Sequence, residues 1–454
     1  MKEILLIIYL ITIYINIISS EKLLKIPFKV YSTLKYYQKN QDFISNKYMI
    51  QLVTEISIGT PPQKYNLSLD LNDNFYSCFL ADNIPDINFS YVNNKSISST
   101  YKCEKKKDIF SIEIFNEAEV FSDNISFIVN NKKIDNNLRF LLIDNIFKTI
   151  YTPGLIGLGL KSDNRQLDEN SFLYQLKKLN LTENEVFYFN FENEQEGKFI
   201  IGENLFNNEN FLKVKVGYIS QISNKLLWSF NFDEVYYGNS TNLGKEDGVL
   251  GLGYGLTIGS SSYDQVIKGI FYKEKNCFFN YTKIGGLNIK YYCCEKENFI
   301  ENKIQNLTFE LKSINYNFSF SGEDLFSEEE NKKYFKIVFL SDINNKYWYL
   351  GRDFLIKYHI RFDHERKLLY IPSGENNNSK INSIDNNEKN IYNLVQKWQF
   401  WIITSLGVFV IGLILFIIFY IKNYPKKKQA CELDDTYEEY SYSKSENLDE
   451  NNIN

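Results

Sequence analysis

The amino-acid sequence predicts a mostly β ectodomain followed by one membrane-spanning segment, and three observations support this prediction. Residues 48–372 contain many short apolar alternations separated by Gly and Asn turns, a pattern typical of strands. Aromatic residues make up 16% of the chain, as is common in β-rich proteins. Residues 400–421 carry no charge and are long enough to cross a hydrocarbon core of roughly 30 Å.

Residues 56–80 are the stretch around which the predicted fold is organised. The alternations ISI and YNLSL predict two short strands, and the Gly-Thr-Pro-Pro sequence of residues 59–62 predicts the turn between them. The second strand leads into Asp70, a carboxylate at the end of an apolar segment. Taken alone, this pattern would describe an ordinary surface aspartate after a β-hairpin.

The two ends of the sequence predict on which side of a membrane each part of the chain lies. Residues 1–20 have one Lys, an apolar run and a small-residue end, as in a signal peptide; a membrane anchor is the alternative, although Asn16 interrupts the run. Lysines follow residue 421 directly, which predicts a cytoplasmic C-terminal side. We therefore predict a single-pass type I protein of a secretory-pathway or cell-surface membrane. A flexible stalk (residues 373–397), a transmembrane helix (398–421) and a cytoplasmic tail (422–454) follow the ectodomain.

Composition excludes several function classes. A net charge of −5 gives no sign of nucleic-acid binding. The chain has two His and no CxxC pair, so the sequence predicts neither a metal site nor a cofactor. Five cysteines precede the membrane segment, an odd number that leaves at least one thiol unpaired; these are Cys78, Cys103, Cys277, Cys293 and Cys294.

Six short motifs in order resemble those of the pepsin-like aspartic proteases. They are IGTPPQ (58–63), FSYVNNKSISSTYK (89–102), GLIGLG (154–159), FYFNFENEQEGKFIIG (187–202), LLWSFNFDEVYYG (226–238) and WYLGRDFLIKYHIRFDHERKLLYI (348–371). The resemblance covers the whole ectodomain. It implies two β lobes, residues 48–195 and 196–372, with a central cleft, and a helix at residues 171–179. It also makes residues 21–47 a candidate prosegment, for which a solvated basic linker is the alternative.

Enzymes of this family activate water between two aspartates, one from each lobe, that share a proton. By resemblance, Asp70 is the first of these aspartates. The family motif is Asp-Thr-Gly-Ser, whereas the residues that follow Asp70 are Leu71, Asn72 and Asp73. The loop therefore lacks the glycine and the hydroxyls that hold the carboxylate in active members.

The second motif departs further from the family pattern. The best match is GVLGLGYGLTIG at residues 248–259, which puts Gly251 at the position of the second aspartate, followed by Leu252, Gly253 and Tyr254. In a competing alignment, residues 247–253 are a second copy of the GLIGLG strand. Asp247 is four residues early, about 13 Å along an extended strand, and is too far away to substitute.

The resemblance also implies a flap and disulfides. The flap region, residues 110–127, has no tyrosine and no glycine, and Phe115 is its nearest aromatic residue. The family's second-lobe disulfide implies that Cys277 pairs with Cys293 or Cys294. Cys78 and Cys103 form the matching pair expected in the first lobe.

These departures predict a membrane-anchored member of the family whose incomplete catalytic pair binds a peptide or protein ligand in its cleft without cutting it. The substrate-cleft residues are then Asn72, Asp73, Phe115, Gly253 and Tyr254. One alternative is an active aspartic endopeptidase of the secretory pathway that pairs Asp70 with another carboxylate. A second alternative is a structural surface glycoprotein. We expect a monomeric ectodomain.

Overall fold

The structure is a computed structural model that describes residues 23–32, 43–71, 78–81, 100–102, 118–129, 132–143, 152, 154–160, 171–205, 208, 210–217, 226–239, 241–284, 286–299 and 304–373. The chain divides into two compact units, Met1–Asn378 and Ser379–Asn454, and all of the described residues belong to the first. Within that described part, no helix is long and apolar enough to cross a membrane; the predicted span at residues 398–421 lies outside it.

Strands dominate the described residues, as predicted. In chain order they are β1 (Leu24–Ser32), β2 (Ile50–Ile58), β3 (Gln63–Asp70), β4 (Cys78–Ala81), β5 (Thr100–Lys102), β6 (Ala118–Val129), β7 (Lys132–Ile143), β8 (Gly154–Gly157), β9 (Val186–Phe191), β10 (Glu196–Ile201), β11 (Phe211–Lys215), β12 (Ser229–Tyr237), β13 (Thr241–Leu250), β14 (Thr257–Ile258), β15 (Cys277–Ile284), β16 (Leu287–Glu295), β17 (Leu307–Leu311), β18 (Tyr316–Phe320), β19 (Phe326–Glu329), β20 (Lys332–Phe335), β21 (Ile337–Leu340), β22 (Tyr347–Leu350), β23 (Arg361–Asp363) and β24 (Leu368–Pro372).

Short helices connect some of these strands. The α-helices are α1 (Phe43–Tyr48), α2 (Phe172–Lys178), α3 (Ser261–Phe271) and α4 (Arg352–Tyr358). Single 3₁₀ turns cover Lys296–Asn298 and Lys312–Ile314. The helix expected at residues 171–179 is confirmed as α2, whose Phe172, Leu173 and Leu176 are buried on one face.

The described strands form two large sheets. The first has the order β11-β24-β23-β9-β10-β1-β2-β3-β8-β4-β7-β6-β5. The second has the order β18-β17-β12-β13-β22-β14-β21-β16-β20-β19, with β15 paired to β16. The pairing of β9 with β23 brings residues 361–363 into the first sheet, where the rings of Phe187 and Phe362 stack with centroids 4.9 Å apart. The two-lobed β architecture expected from the resemblance is thus present.

The stretch from residue 50 to residue 70 forms the predicted hairpin. Strands β2 and β3 pair antiparallel from Leu52–Leu69 to Ile58–Gln63, and residues 59–62 make the turn. Alternate residues of β3, including Tyr65, Leu67 and Leu69, are buried. This one-sided burial sets the register, because a slip of one residue would turn these side chains to the opposite face.

The candidate prosegment contributes a strand to the interior of the first sheet. Strand β1 pairs with β10 on one side and with β2 on the other, and its Leu24, Ile26 and Phe28 are at most 2% exposed. Residues 24–32 are therefore not a solvated linker, because residues 24–29 pair with β10, residues 29–32 pair with β2, and the apolar side chains are in the core. Removal of this segment on maturation stays a prediction.

The second lobe contains a disulfide between Cys277 and Cys294, one of the two expected pairings. These residues lie directly opposite each other on β15 and β16. Cys293 points to the other face, because neighbouring strand residues alternate, and it is a buried free thiol. Burial raises the pKa of Cys293 to about 11, which keeps it protonated and unreactive at neutral pH.

Breaking this disulfide should lower the free energy of unfolding by about 3 kcal/mol, the value expected for a loop of this length. The bridge spans a sequence separation of 17 residues. We expect Cys277→Ala/Cys294→Ala to lower the urea midpoint, and non-reducing peptide mapping to find Cys293 as a thiol. Cys293→Ala is the control that keeps the bridge. A Cys277–Cys293 peptide would contradict the pairing.

Candidate functional site

Asp70 is the last residue of β3 and lies beside the GLIGLG strand. Strand β8 runs parallel to β3, with Asp70 opposite Gly157. The Leu158 amide donates to the Asp70 carbonyl oxygen at 2.7 Å. The backbone of Asp70 is thereby held between paired strands, while its side chain is half-buried. The aspartate named from the sequence thus sits at a fixed strand end.

The second lobe repeats the strand arrangement found around Asp70. In the first lobe, β8 runs parallel to β3 and antiparallel to β4, and β4 runs parallel to β7. In the second lobe, β22 runs parallel to β13 and antiparallel to β14, and β14 runs parallel to β21. Strand β13 therefore corresponds to β3, and β22 corresponds to β8.

The register within these corresponding pairs locates the residue equivalent to Asp70. In β13, Leu250 lies opposite Leu350, and the Gly251 amide donates to the Leu350 carbonyl oxygen at 3.1 Å. The next step along the parallel ladder brings Gly251 beside Gly351. Asp70 lies opposite Gly157 in the corresponding pair of first-lobe strands, so the strand pairings favour Gly251 as the second-lobe counterpart of Asp70.

Tyr254 occupies the space in front of Gly251. A Cβ atom added to Gly251 would lie 3.2 Å from Cδ2 and 3.7 Å from Cε2 of the Tyr254 ring. Burial raises the pKa of Tyr254, and the negative charge of Asp70 raises it further. The phenol of Tyr254 is therefore neutral at neutral pH.

The N-terminal segment holds this second-lobe loop in place. The Ile50 amide donates to the Gly253 carbonyl oxygen at 3.1 Å, and the Gly255 amide donates to the Tyr48 carbonyl oxygen at 3.0 Å. A Cβ atom on Gly255 would lie 2.0 Å from the Lys47 carbonyl oxygen, so only glycine permits this approach. The rings of Tyr48 and Tyr254 meet edge to face at 5.7 Å.

Asp247 lies elsewhere on β13. It is opposite Asn231 on β12 and Tyr347 on β22, and it accepts a hydrogen bond from Asn231 Nδ2 at 2.6 Å. In the competing alignment, residues 247–253 would be the second-lobe counterpart of β8. The strand pairings instead make β22 that counterpart. The pairings therefore favour the register in which Gly251 corresponds to Asp70.

A buried histidine–glutamate contact lies next to the residues that follow β8 and was not identified from the sequence. His364 Nδ1 is 2.8 Å from Glu185 Oε2, and His364 Nε2 is 2.8 Å from the Gly159 carbonyl oxygen. Both ring nitrogens are thus within hydrogen-bonding distance of an acceptor. Nearby, Trp228 Nε1 donates to the Leu158 carbonyl oxygen at 2.8 Å. These bonds join second-lobe side chains to the residues that follow the Gly157 partner of Asp70.

A second buried acid, Glu246, was also missed, since a single Glu in a strand carries no sequence signal. Ser260 Oγ donates to its carboxylate at 2.8 Å, and Ser262 Oγ and Trp348 Nε1 make further short hydrogen bonds to it. Burial raises the pKa of Glu246, although these hydrogen bonds act in the opposite direction. Glu246 is buried in β13, five residues before Gly251. It therefore belongs to the core next to the loop that begins at Gly251.

The raised pKa of Glu246 predicts a pH-dependent stability. The Glu246 carboxyl group binds its proton more tightly in the folded state than in the unfolded state. The stabilisation that results is complete below the unfolded-state pKa of 4.5 and is lost as pH rises through the folded-state pKa. We expect the wild-type protein to lose more free energy of unfolding than Glu246→Gln as pH rises from 4.5 to neutral. Urea unfolding across this range measures the difference, with the exposed Glu55→Gln as control. Parallel curves for wild type and Glu246→Gln would contradict it.

Several residues named from the sequence lie outside the described part of the chain. Asn72, Asp73, Phe115 and Cys103 are among them, and the side chain of Cys78 is also outside. Leu71 is buried, and Gly253 is exposed with no atom within 4 Å of an added Cβ.

Comparison with known families agrees with this architecture. The family model described as eukaryotic aspartyl protease matches residues 51–372. The chain therefore belongs to the eukaryotic aspartyl protease family. No curated protein matches the chain.

Proposed function

We propose that this protein is a catalytically degenerate member of its family, which binds a peptide or protein segment in the cleft between its lobes without hydrolysing it. The observation that carries the proposal is the register of β13 against β22, which favours Gly251 as the counterpart of Asp70. A Cβ atom at Gly251 would lie 3.2 Å from the Tyr254 ring, so a side chain at this position would require the ring to shift.

The chemical reason is that peptide hydrolysis in this family needs two carboxylates with different protonation. One deprotonates the attacking water while the other, protonated, polarises the peptide carbonyl. Gly251 has no side chain to take either role. Tyr254 offers a phenol whose pKa is raised, so it can donate a hydrogen bond but cannot share a proton with Asp70 as a second carboxylate would.

Ligand binding is supported by the side chains that share a face with Gly251. Val249 lies two residues before Gly251 and so points to the same face of β13. It packs with Leu227, Tyr347 and Tyr349 in a small apolar cluster, in which the two tyrosines are half-buried and joined by a 3.1 Å hydroxyl contact. A peptide that reached Asp70 would meet this partly exposed aromatic surface, which is suited to apolar and aromatic side chains.

The direct test uses the purified full-length protein in detergent with an unfolded protein substrate at acidic pH. We expect no cleavage with or without pepstatin, and saturable binding of peptides selected from a library. Tyr349→Ala should weaken this binding, whereas Glu55→Gln, on the exposed face of β2, should not. Pepstatin-sensitive cleavage would favour the active endopeptidase. Absence of any peptide binding would favour a structural glycoprotein.

We further propose the type I orientation, with the described residues on the lumenal or extracellular side. The uncharged segment at residues 400–421 and the lysines after it support this proposal. In sealed vesicles, added protease should remove a C-terminal tag and leave the ectodomain intact. Protection of the tag together with digestion of the ectodomain would overturn the orientation.

A further inference from the structure

Among the described strands, three strands of the second-lobe sheet have a partner on only one side. Strand β15 pairs with β16 alone, β18 ends the sheet next to β17, and β19 ends it next to β20. An open strand edge presents unpaired backbone N–H and C=O groups and can pair with another chain. Such edges are usually protected by charge, by proline or by a covering element.

Two of these three open edges carry an N-glycosylation sequon, whereas β19 carries the acidic residues Glu328 and Glu329. Asn280 begins the triplet Asn-Tyr-Thr within β15, and Asn317 begins the triplet Asn-Phe-Ser within β18. Both asparagine side chains are exposed. The other sequon asparagines in the described residues are also exposed: Asn66, Asn180, Asn239 and Asn306. Attachment of a glycan requires an accessible asparagine, and these sites meet that requirement.

The surroundings of Asn280 suit a bound sugar. Phe278, Asn280 and Thr282 alternate along β15 and therefore lie on one face of the strand. Phe278 is an exposed large apolar side chain, 37% accessible, with Lys332 Nζ 5.4 Å from its ring centroid. The apolar face of a sugar on Asn280 could cover the accessible part of this ring and remove apolar area from water. At Asn317, the residue two positions earlier is Asn315, so this contact is available only at Asn280.

We propose that N-linked glycans on Asn280 and Asn317 cover the open edges of β15 and β18, and that the first sugar at Asn280 packs on Phe278. The donor is a lipid-linked oligosaccharide pyrophosphate. A bond forms between Asn Nδ2 and C1 of the first sugar, the bond from C1 to the pyrophosphate oxygen breaks, and the amide proton leaves with the lipid pyrophosphate. The proposal requires passage through the secretory pathway but does not depend on peptide binding in the cleft.

The first measurement is site occupancy in the full-length protein made in eukaryotic secretory cells. Endoglycosidase treatment should collapse a glycosylated band. Asn280→Gln and Asn317→Gln should each remove one step of that shift. Asn331→Gln, an exposed asparagine without a sequon, is the matched control and should leave the pattern unchanged. Thr282→Ala abolishes the sequon while retaining Asn280, and it should give the same loss as Asn280→Gln.

The second measurement tests edge protection. Enzymatic deglycosylation of folded protein should increase self-association measured by sedimentation, and the Asn280→Gln/Asn317→Gln variant should self-associate to a similar degree. Deglycosylation should also lower the thermal midpoint, by less in Phe278→Ala than in wild type. Lack of occupancy at either asparagine would overturn the proposal. Occupied sites whose removal left self-association unchanged would overturn it as well.

Discussion

Replacing His364 with leucine should lower the free energy of unfolding by about 3–5 kcal/mol, because the buried Glu185 carboxylate would lose its hydrogen-bonded partner. The side chains of His364 and Glu185 are 1% and 2% exposed, and their contact is 2.8 Å. The imidazole also bonds the Gly159 carbonyl oxygen, so the variant leaves that buried acceptor without this donor. Urea unfolding with both far-UV and tryptophan signals measures the change.

Two further variants isolate the pair as the cause. Glu185→Leu/His364→Leu removes both polar partners and should recover much of the loss, since paired apolar replacements are often close to neutral. Glu365→Gln removes the exposed partner of Lys177 at the adjacent position and should cost at most about 1 kcal/mol. Equal losses in His364→Leu and Glu365→Gln would show that burial of the pair is not the source of its effect.

Restoring an aspartate by Gly251→Asp should not create a protease and should cost about 1–3 kcal/mol of stability, as expected for overpacking. The new Cβ would meet the Tyr254 ring at 3.2 Å, and that ring contacts Tyr349 with centroids 5.4 Å apart, which limits its retreat. Gly253→Asp is a matched control in the same loop. No atom lies within 4 Å of its Cβ, so this variant should remain as stable as wild type and inactive.

Activity should require repair of both motifs. Gly251→Asp with Leu252→Thr and Tyr254→Ser clears the ring and supplies hydroxyls, and Leu71→Thr with Asn72→Gly and Asp73→Ser repairs the first motif. We expect pepstatin-sensitive cleavage at acidic pH in the combined variant and none in either half, because the carboxylates act as one unit and the loss of either costs orders of magnitude in rate. Cleavage by Gly251→Asp alone would show that Tyr254 does not block the position.

The sequence by itself determined the β-rich, two-lobed architecture. Its motifs also predicted Asp70 at a strand end and the helix after residue 171. These features depend on local alternation and on turn residues, and so they can be recognised within short windows. The sequence also limited the second-lobe disulfide to two pairings of Cys277. Only the strand register decided for Cys294, since neighbouring strand residues point to opposite faces.

Tertiary structure alone decided the features that join distant parts of the chain. Glu185 and His364 are 179 residues apart, and neither has a local pattern that predicts a partner. The placement of Tyr254 over Gly251 depends on the Tyr48 segment, which bonds the loop from some 200 residues away. The central position of β1 likewise follows from its pairing with β10, a contact between the beginning of the chain and the middle of it. Such contacts depend on how the sheets close in space, and sequence periodicity does not encode that closure.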